Sequence, residues 1–549
     1  MAAMQGQWWS LFLAWSAALA QTAPPVPAAK AAAPLPAIQR HGAIAQMMVD
    51  GKPFLMLAGE LHNSSASSID YMKPVWPKLE AMHLNTVIGT ASWELVEPQE
   101  GKFDFTLVDD QIRQARARHM RLVLIWFGTW KNANASYTPL WVKKDFRRFL
   151  RVQSRDGVAR EELTPLGEQS LAADAKAFRA LMRHIHAVDP QHTVIMMQVE
   201  NETGKVGDSR DRSPIAEAAW NGPVPAALMN YLSENKSRLL PELTKVWAVN
   251  GFKTSGTWPE VFGTDAYADE VFMAWHIARY VGKVAEAGKA ELPIPMYANA
   301  WLVQNDEQLP GGYPSGGPVS RVHDIWRAAA PQLDLLAPDI YIDDFRGVCA
   351  SYTRSGNPLF IPESRASVPN LFWAVGRHAA LGYSPFGIES LPEDTPLAAA
   401  YQTLEGLMPL LAKYQPEGQV VPVVQESAGQ KTQSVSVGGY RLNFTFGSSG
   451  RAPAPTTPRP APPELGYALV IHTAPDEFVL VGQGVSMTPA ADGPGPTLAG
   501  FGTIDEGHYE KGVWIPGRRI NGDESNGGTR AILRGPAPGT LKVKLYHYE

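Results

Sequence analysis

From about residue 40 the chain alternates between two textures: short apolar runs, then stretches whose apolar residues recur every three or four positions. The apolar runs cover residues 54–59, 86–90, 122–127, 194–199, 294–299, 335–342, 359–362 and 383–388. Between them, residues 70–82 carry Met72, Val75, Trp76, Leu79 and Met82 at helical spacing, and 107–118, 171–186 and 269–287 repeat the pattern. Eight β-like runs alternating with amphipathic helices predict an α/β fold, a (β/α)₈ TIM barrel. Near residue 415 the helical period stops. Short alternating runs at 420–424, 434–437, 440–446, 468–472, 477–481 and 541–547, with Gly- and Pro-rich turns and a Pro-rich loop at 452–463, predict an all-β, sandwich-like C-terminal domain.

The first residues have a different character. Residues 8–20 are an apolar run too short for a bilayer, which needs roughly 20 residues. The run ends in Ala18, Leu19 and Ala20, the small-x-small pattern of a signal cleavage site. We expect residues 1–20 to be a signal peptide and the mature protein to be exported, periplasmic or secreted; an over-extended start is the alternative. Residues 21–36 are Pro/Ala-rich and read as a linker. The expected division is therefore linker 21–36, barrel 37–415 and β-domain 416–549. No later segment is long and apolar enough for a membrane helix, so no membrane partner is expected.

Composition removes several function classes. Lys plus Arg is 49 and Asp plus Glu is 54, a net charge of −5, which argues against a nucleic-acid binder that works by phosphate neutralisation. Cys349 is the one cysteine, so neither an intrachain disulfide nor a Cys-clustered metal site can form. His184, His186 and His192 do not share a helix face, and the acidic pairs Asp505, Glu506 and Asp523, Glu524 read as turn residues. No metal and no cofactor are expected. Sixteen Trp residues suit a protein that stacks sugar rings, though core packing accounts for most of them.

Barrels of this kind carry their reactive groups at the C-terminal ends of the strands. The fourth run ends in Glu200, Asn201 and Glu202, and the seventh in Glu363. Two carboxylates on opposing strands suit glycosidic cleavage: one protonated to donate to the leaving oxygen, one ionised to attack the anomeric carbon. Alternation puts Gln198, Glu200 and Glu202 on one face, so Asn201 needs an irregular strand end to share it. Arg365, on the face of Glu363, would keep that carboxylate ionised. Glu200 reads as a buried hydrogen-bonding group in the barrel mouth. Glu94 and Glu97 read as structural, and Glu389 as a candidate subsite group.

The segment Trp93, Glu97-Pro98, Gly101-x-Phe103-Asp104-Phe105 resembles the W-x-x-x-E-P-x-x-G-x-F-D-F signature of the family 35 β-galactosidases, retaining glycoside hydrolases of the large (β/α)₈ clan. The stretch from Trp76 to Val87, Pro139 with Trp141, and Gln198-Val199-Glu200-Asn201-Glu202 are similar to further motifs of that family. Residues 501–524 resemble a β-domain appended to a bacterial branch of these enzymes. The resemblance implies Glu202 as acid/base and Glu363 as nucleophile, with Asn201 toward the sugar 2-hydroxyl. Candidate substrate-binding residues beside them are His62, Trp93, Trp130, Trp301 and Tyr341, with Trp126 a further aromatic at a strand end. Two departures put the sugar in question more than the chemistry: Thr203 replaces a Tyr, and Gly128-Thr129-Trp130-Lys131-Asn132 replaces a Cys- and Glu-bearing loop.

The expectation is a retaining exo-β-glycosidase, a β-galactosidase acting on oligosaccharides by double displacement, with residues 204–226 covering the site. The alternatives are another retaining β-glycosidase or endo-glycanase of the same clan, and a non-catalytic carbohydrate-binding protein. The sequence leaves the oligomeric state open.

Overall fold

The computed structural model describes residues 34–42, 44–447, 465–535 and 537–549. The expected signal peptide, most of the expected linker and the Pro-rich loop at 452–463 lie outside the described residues.

Eight parallel strands form one barrel. In chain order they are Met56–Glu60, Thr86–Ser92, Arg121–Lys131, Val194–Asn201, Met296–Trp301, Leu335–Ile340, Glu363–Ser364 and Gly382–Tyr383. Backbone hydrogen bonds from Leu381 to Leu359, Ile361 to Gly382 and Phe386 to Ser364 close it between the seventh and eighth strands. These two strands are short because Pro362 and Pro385 interrupt the ladder. Met56, Ala58, Ile88, Val123, Ile125, Ile195, Tyr297, Leu335, Ala337 and Phe360 fill the interior. A three-stranded antiparallel sheet over residues 37–53 adds Ala45, Met47 and Val49 to that interior layer.

The helices follow their apolar spacing. Glu168–Val188 buries Leu171, Phe178, Leu181, Met182 and Ile185 on one stripe. Ala266–Lys289 starts at Asp265, whose carboxylate accepts from the N–H groups of Tyr267 and Ala268. The helix predicted over 70–82 is split into Ile69–Met72 and Val75–Ala81. Pro74 stands at the break and supplies no N–H to carry the first helix onward.

Beyond Tyr414 the chain builds two antiparallel sheets, of six and four strands, around Leu442, Phe444, Val470, Leu480, Met487 and Val543. Strands Val485–Ala491, Leu498–Glu510, Val513–Arg519 and Ala531–Leu533 lack strong apolar alternation, and the sequence pattern did not show them. The β-domain is joined to the barrel by a continuous apolar layer. Phe372 of helix Val368–His378 meets Tyr467 with ring centroids 4.6 Å apart. In helix Pro396–Tyr414, Gly406 lets the Tyr509 carbonyl lie where a Cβ would be. No helix among the described residues is long and apolar enough to cross a membrane.

Candidate active site

The fourth strand ends irregularly. Glu200 has φ +64° and Glu202 φ +45°, uncommon for residues with a Cβ, and such strain persists only where the surroundings fix it. Both backbone groups of Glu202 are held: its N–H donates to Asn299 Oδ1 at 3.0 Å, and its carbonyl accepts from Ala133 N at 3.0 Å. The two left-handed residues break the alternation that would place Gln198, Glu200 and Glu202 on one face.

Glu200 is the buried hydrogen-bonding group that the sequence predicts, but it turns toward the helix layer rather than into the mouth. Its Oε2 accepts from Trp130 N at 2.6 Å, and its other oxygen abuts Asp174 of helix Glu168–Val188. Asp174 accepts from Trp126 Nε1 (2.8 Å), Thr129 N (3.1 Å), Thr129 Oγ1 (2.7 Å) and Tyr280 Oη (3.2 Å). This packing needs Gly128, since a Cβ there would stand 2.6 Å from Glu200 Oε1 and 2.8 Å from Asp174 Oδ1. Burial, then the neighbouring Asp174 charge, holds the Glu200 carboxyl well above its usual range.

Glu202 belongs to a different group. One carboxyl oxygen each from Glu202, Asp339 and Glu363 lie within 4.8 Å of one another, and all three residues are buried. Tyr341 Oη donates to Glu363 Oε1 at 2.6 Å. Asn299 Nδ2 donates to Asp339 Oδ2 at 2.7 Å, so one amide ties the Asp339 carboxyl to the Glu202 backbone. Burial, then the Glu363 charge, pushes Glu202 up to about 7, with Lys131 and an Asp339 hydrogen bond opposing. Burial also raises Glu363, with the Tyr341 hydrogen bond and then the Lys131 charge pulling against it. The environments split the pair as acid and anion.

Around this group, buried polar atoms without a protein partner collect at one end of the barrel. They include Glu60 Oε1, Asn201 Oδ1 and Nδ2, Thr203 Oγ1, Tyr297 Oη, Asp339 Oδ1, Glu363 Oε2 and Glu389 Oε2. Buried polar atoms are ordinarily paired, so such a concentration marks a surface built for a hydroxyl-rich ligand. Asn201 is 1% exposed with its whole amide unspent. Glu389 uses Oε1 on His62 N (3.0 Å) and Ser65 Oγ (2.5 Å). His62 itself is half-buried, with Nε2 2.9 Å from Ser390 Oγ and its ring edge-on to Phe386.

Several sequence candidates stand elsewhere. Trp93 is fully buried, donates Nε1 to Glu97 Oε2 at 2.9 Å and packs on Trp141. Trp130 is buried against Tyr280 in the helix layer, and Trp126 spends its N–H on Asp174. None of these three offers a face to a sugar, because flat apolar area at a strand end is as useful to the wall as to the mouth. Trp301 is partly exposed, in register with Asp339. Arg365 does not serve Glu363: its side chain is 66% exposed and pairs with Asp343 at 3.5 Å. The cation acting on the carboxylates is Lys131, buried at the end of the third strand after a bulge over residues 127–130. Glu60, Lys131, Asn299 and Asp339 were not singled out from sequence. A lone Asp inside the apolar run 335–342 is the one signal that could have found Asp339.

The loops after strands three, four and five form one wall. Lys205 pairs by backbone with Ser315, and its Nζ lies 3.1 Å from Glu162 Oε1. Arg210 and Arg212 anchor the same loop to Asp269 at 2.9 and 2.8 Å.

Comparison with known proteins gives partial matches. The family described as Beta-galactosidase (glycoside hydrolase 42) matches residues 67–263, and the Domain of unknown function (DUF5597) matches residues 397–532. A β-galactosidase of Xanthomonas manihotis is 31% identical over 170 residues, which are 30% of this chain and 26% of that protein. The chain thus spans about a quarter of that relative's length. Among solved structures, a β-galactosidase from Bacillus circulans sp. alkalophilus has a TM-score of 0.46 at 16% identity, covering 66% of this chain and 57% of that one. A β-galactosidase from the psychrophilic Marinomonas ef1 has a TM-score of 0.44 at 12% identity, covering 65% and 62%.

Proposed function

We propose that this chain is a retaining β-glycosidase of the β-galactosidase type, acting on terminal β-galactosyl residues of oligosaccharides. The observation that carries the reading is the Glu202–Glu363 pair, with carboxyl oxygens within 4.8 Å inside a buried mouth. Retaining enzymes hold their carboxyls roughly 5–5.5 Å apart and inverting ones roughly 6.5–9.5 Å. In the first step Glu363 attacks the anomeric carbon while Glu202 gives its proton to the leaving oxygen. In the second, Glu202 takes a proton from water, whose oxygen joins the anomeric carbon as Glu363 departs as carboxylate. Lys131 and the Tyr341 hydroxyl keep Glu363 ionised for the attack, the role the sequence assigned to Arg365.

The family match over 67–263 and the motifs of residues 93–105 and 198–202 support the galactose assignment. Those motifs also support a kinship with family 35 within the same clan. The apolar run at 8–20 supports export. Aryl galactoside, glucoside, mannoside, arabinoside and fucoside substrates test the sugar: the galactoside should turn over fastest, and preference for another glycoside would move the assignment within the clan. Glu363→Ala should be inactive and partly rescued by azide, which takes the carboxylate's place. Full activity in that variant would remove the mechanism.

A further inference from the structure

A two-carboxylate mechanism has no use for a third acid in the same gap, yet Asp339 is there. It lies in register beside Glu363, with Trp301 as its partner on the other side. Its Oδ2 takes the Asn299 amide, and its Oδ1 is buried with no donor. An anion with a bare oxygen, packed within 4.8 Å of two other carboxyls, is the costly state of this group. A neutral acid whose O–H points at Glu202 leaves no bare anion.

We propose that Asp339 is a positioning residue that keeps its proton through the whole cycle, donating it as a hydrogen bond to the Glu202 carboxylate whenever Glu202 has lost its own. This rests on the glycosidase reading above. The balance is simple. Glu202 loses a proton to the leaving oxygen and regains one from water, and the Asp339 proton is never consumed. The hydrogen bond stabilises Glu202 as the base of the second step without disabling it as the acid of the first.

The groups facing Asp339 agree with this. The carboxyls of Glu363, Glu202 and Glu60 oppose a charge on it, and Tyr297, Tyr341 and Tyr352 are near enough to feel that charge without donating to it. The nearby cation, Lys131, acts on Glu60, Glu202 and Glu363. Burial first, then those carboxylates, drives Asp339 well above the usual range, while its hydrogen bond draws Glu202 down.

Two substitutions separate a neutral from a charged Asp339. Asn at 339 can still accept from Asn299 and donate to Glu202. Asp339→Asn should lower kcat by up to about ten-fold and leave the basic limb of kcat/KM within about 0.3 unit of its original position. Asp339→Leu removes the donor, so the basic limb should move up by about one unit and the second step should slow. A basic limb that moves down by a unit or more in Asp339→Asn would mean a negative charge was removed, and would overturn the proposal. So would an unchanged profile in Asp339→Leu. Infrared difference spectra with ¹³C-aspartate give a readout independent of turnover and of how well the Leu variant folds. A carboxylic-acid band at neutral pH, lost in Asp339→Asn, is expected; its absence from the unsubstituted protein contradicts the proposal. An enzyme inactive on every glycoside but showing that band would fail the functional reading and leave the protonation of Asp339 standing.

Discussion

Glu200 and Glu202 are two residues apart at the end of one strand and sit in opposite kinds of site. On the helix side, Glu200 and Asp174 share a pocket in which four donors converge on Asp174 and the Trp130 N–H occupies Glu200. Glu200 Oε1 is left beside Asp174 with no donor. In the mouth, Glu202 meets Asp339 and Glu363, and oxygens of Glu60, Asp339, Glu363 and Glu389 find no donor in the protein. Both groups are buried and both hold carboxyls above their usual range, so burial and pKa alone do not tell them apart. The number of bare carboxyl oxygens does, one on the helix side against four in the mouth. A carboxyl pair filled almost entirely by protein donors is finished structure, whereas a cluster with several bare oxygens keeps its capacity for a ligand.

Substitution puts this contrast at risk, most severely at Glu363. Glu363→Ala should reduce turnover by about 10⁴-fold or more. A loss below about ten-fold would show that the mouth group is not the reactive one. Glu202→Gln should cost about 10²–10⁴-fold on substrates with poor leaving groups, and much less on activated aryl glycosides in the first step. On the other side, Glu200→Ala should leave kcat within about ten-fold but destabilise the protein by about 1–3 kcal/mol, because the Trp130 N–H loses its acceptor. Denaturation and kinetics on the same samples separate the two outcomes. A catalytic collapse in Glu200→Ala without loss of stability would erase the distinction drawn here.

Smaller effects come from pH. The acid form of Glu202 is lost as pH rises through about 7, so kcat/KM should fall above that point. Lys131→Met removes a cation that lowers Glu363 and Glu202, so both limbs of the profile should shift upward. Glu202 also links to stability. Between about 4.3 and about 7 it is ionised in the unfolded chain and protonated in the native one. The native state then binds more protons, and stability contributed by Glu202 falls as pH rises through that window. Glu202→Gln should flatten that slope in denaturant titrations.

The barrel was legible because its strands are buried on both faces and therefore read as continuous apolar runs; Val194–Asn201 has no exposed residue at all. The ends of the seventh and eighth strands were legible from Glu363 and the flanking apolar residues, although the ladder there is only two residues long. Asp339 was hidden inside such a run, where one acidic letter among apolar ones does not announce its neighbours. Lys131 was hidden by the bulge at 127–130, since a register shift in the third strand decides which way every later side chain points. Arg365 was misplaced for the related reason that its strand stops at Ser364. Trp93, Trp126 and Trp130 lie in the wall because sequence position fixes their height in the barrel but not the side they face. In the β-domain, Leu498–Glu510 stayed unseen because it is mostly half-exposed and carries no apolar alternation.

Trapping the covalent intermediate tests the central claim most directly. A 2-deoxy-2-fluoro-galactosyl fluoride should inactivate the enzyme and add one fluorosugar to the intact mass, and peptide mapping should place it on Glu363. An adduct on Glu200 or another residue, or hydrolysis of the reagent with inversion and no adduct, would contradict the account.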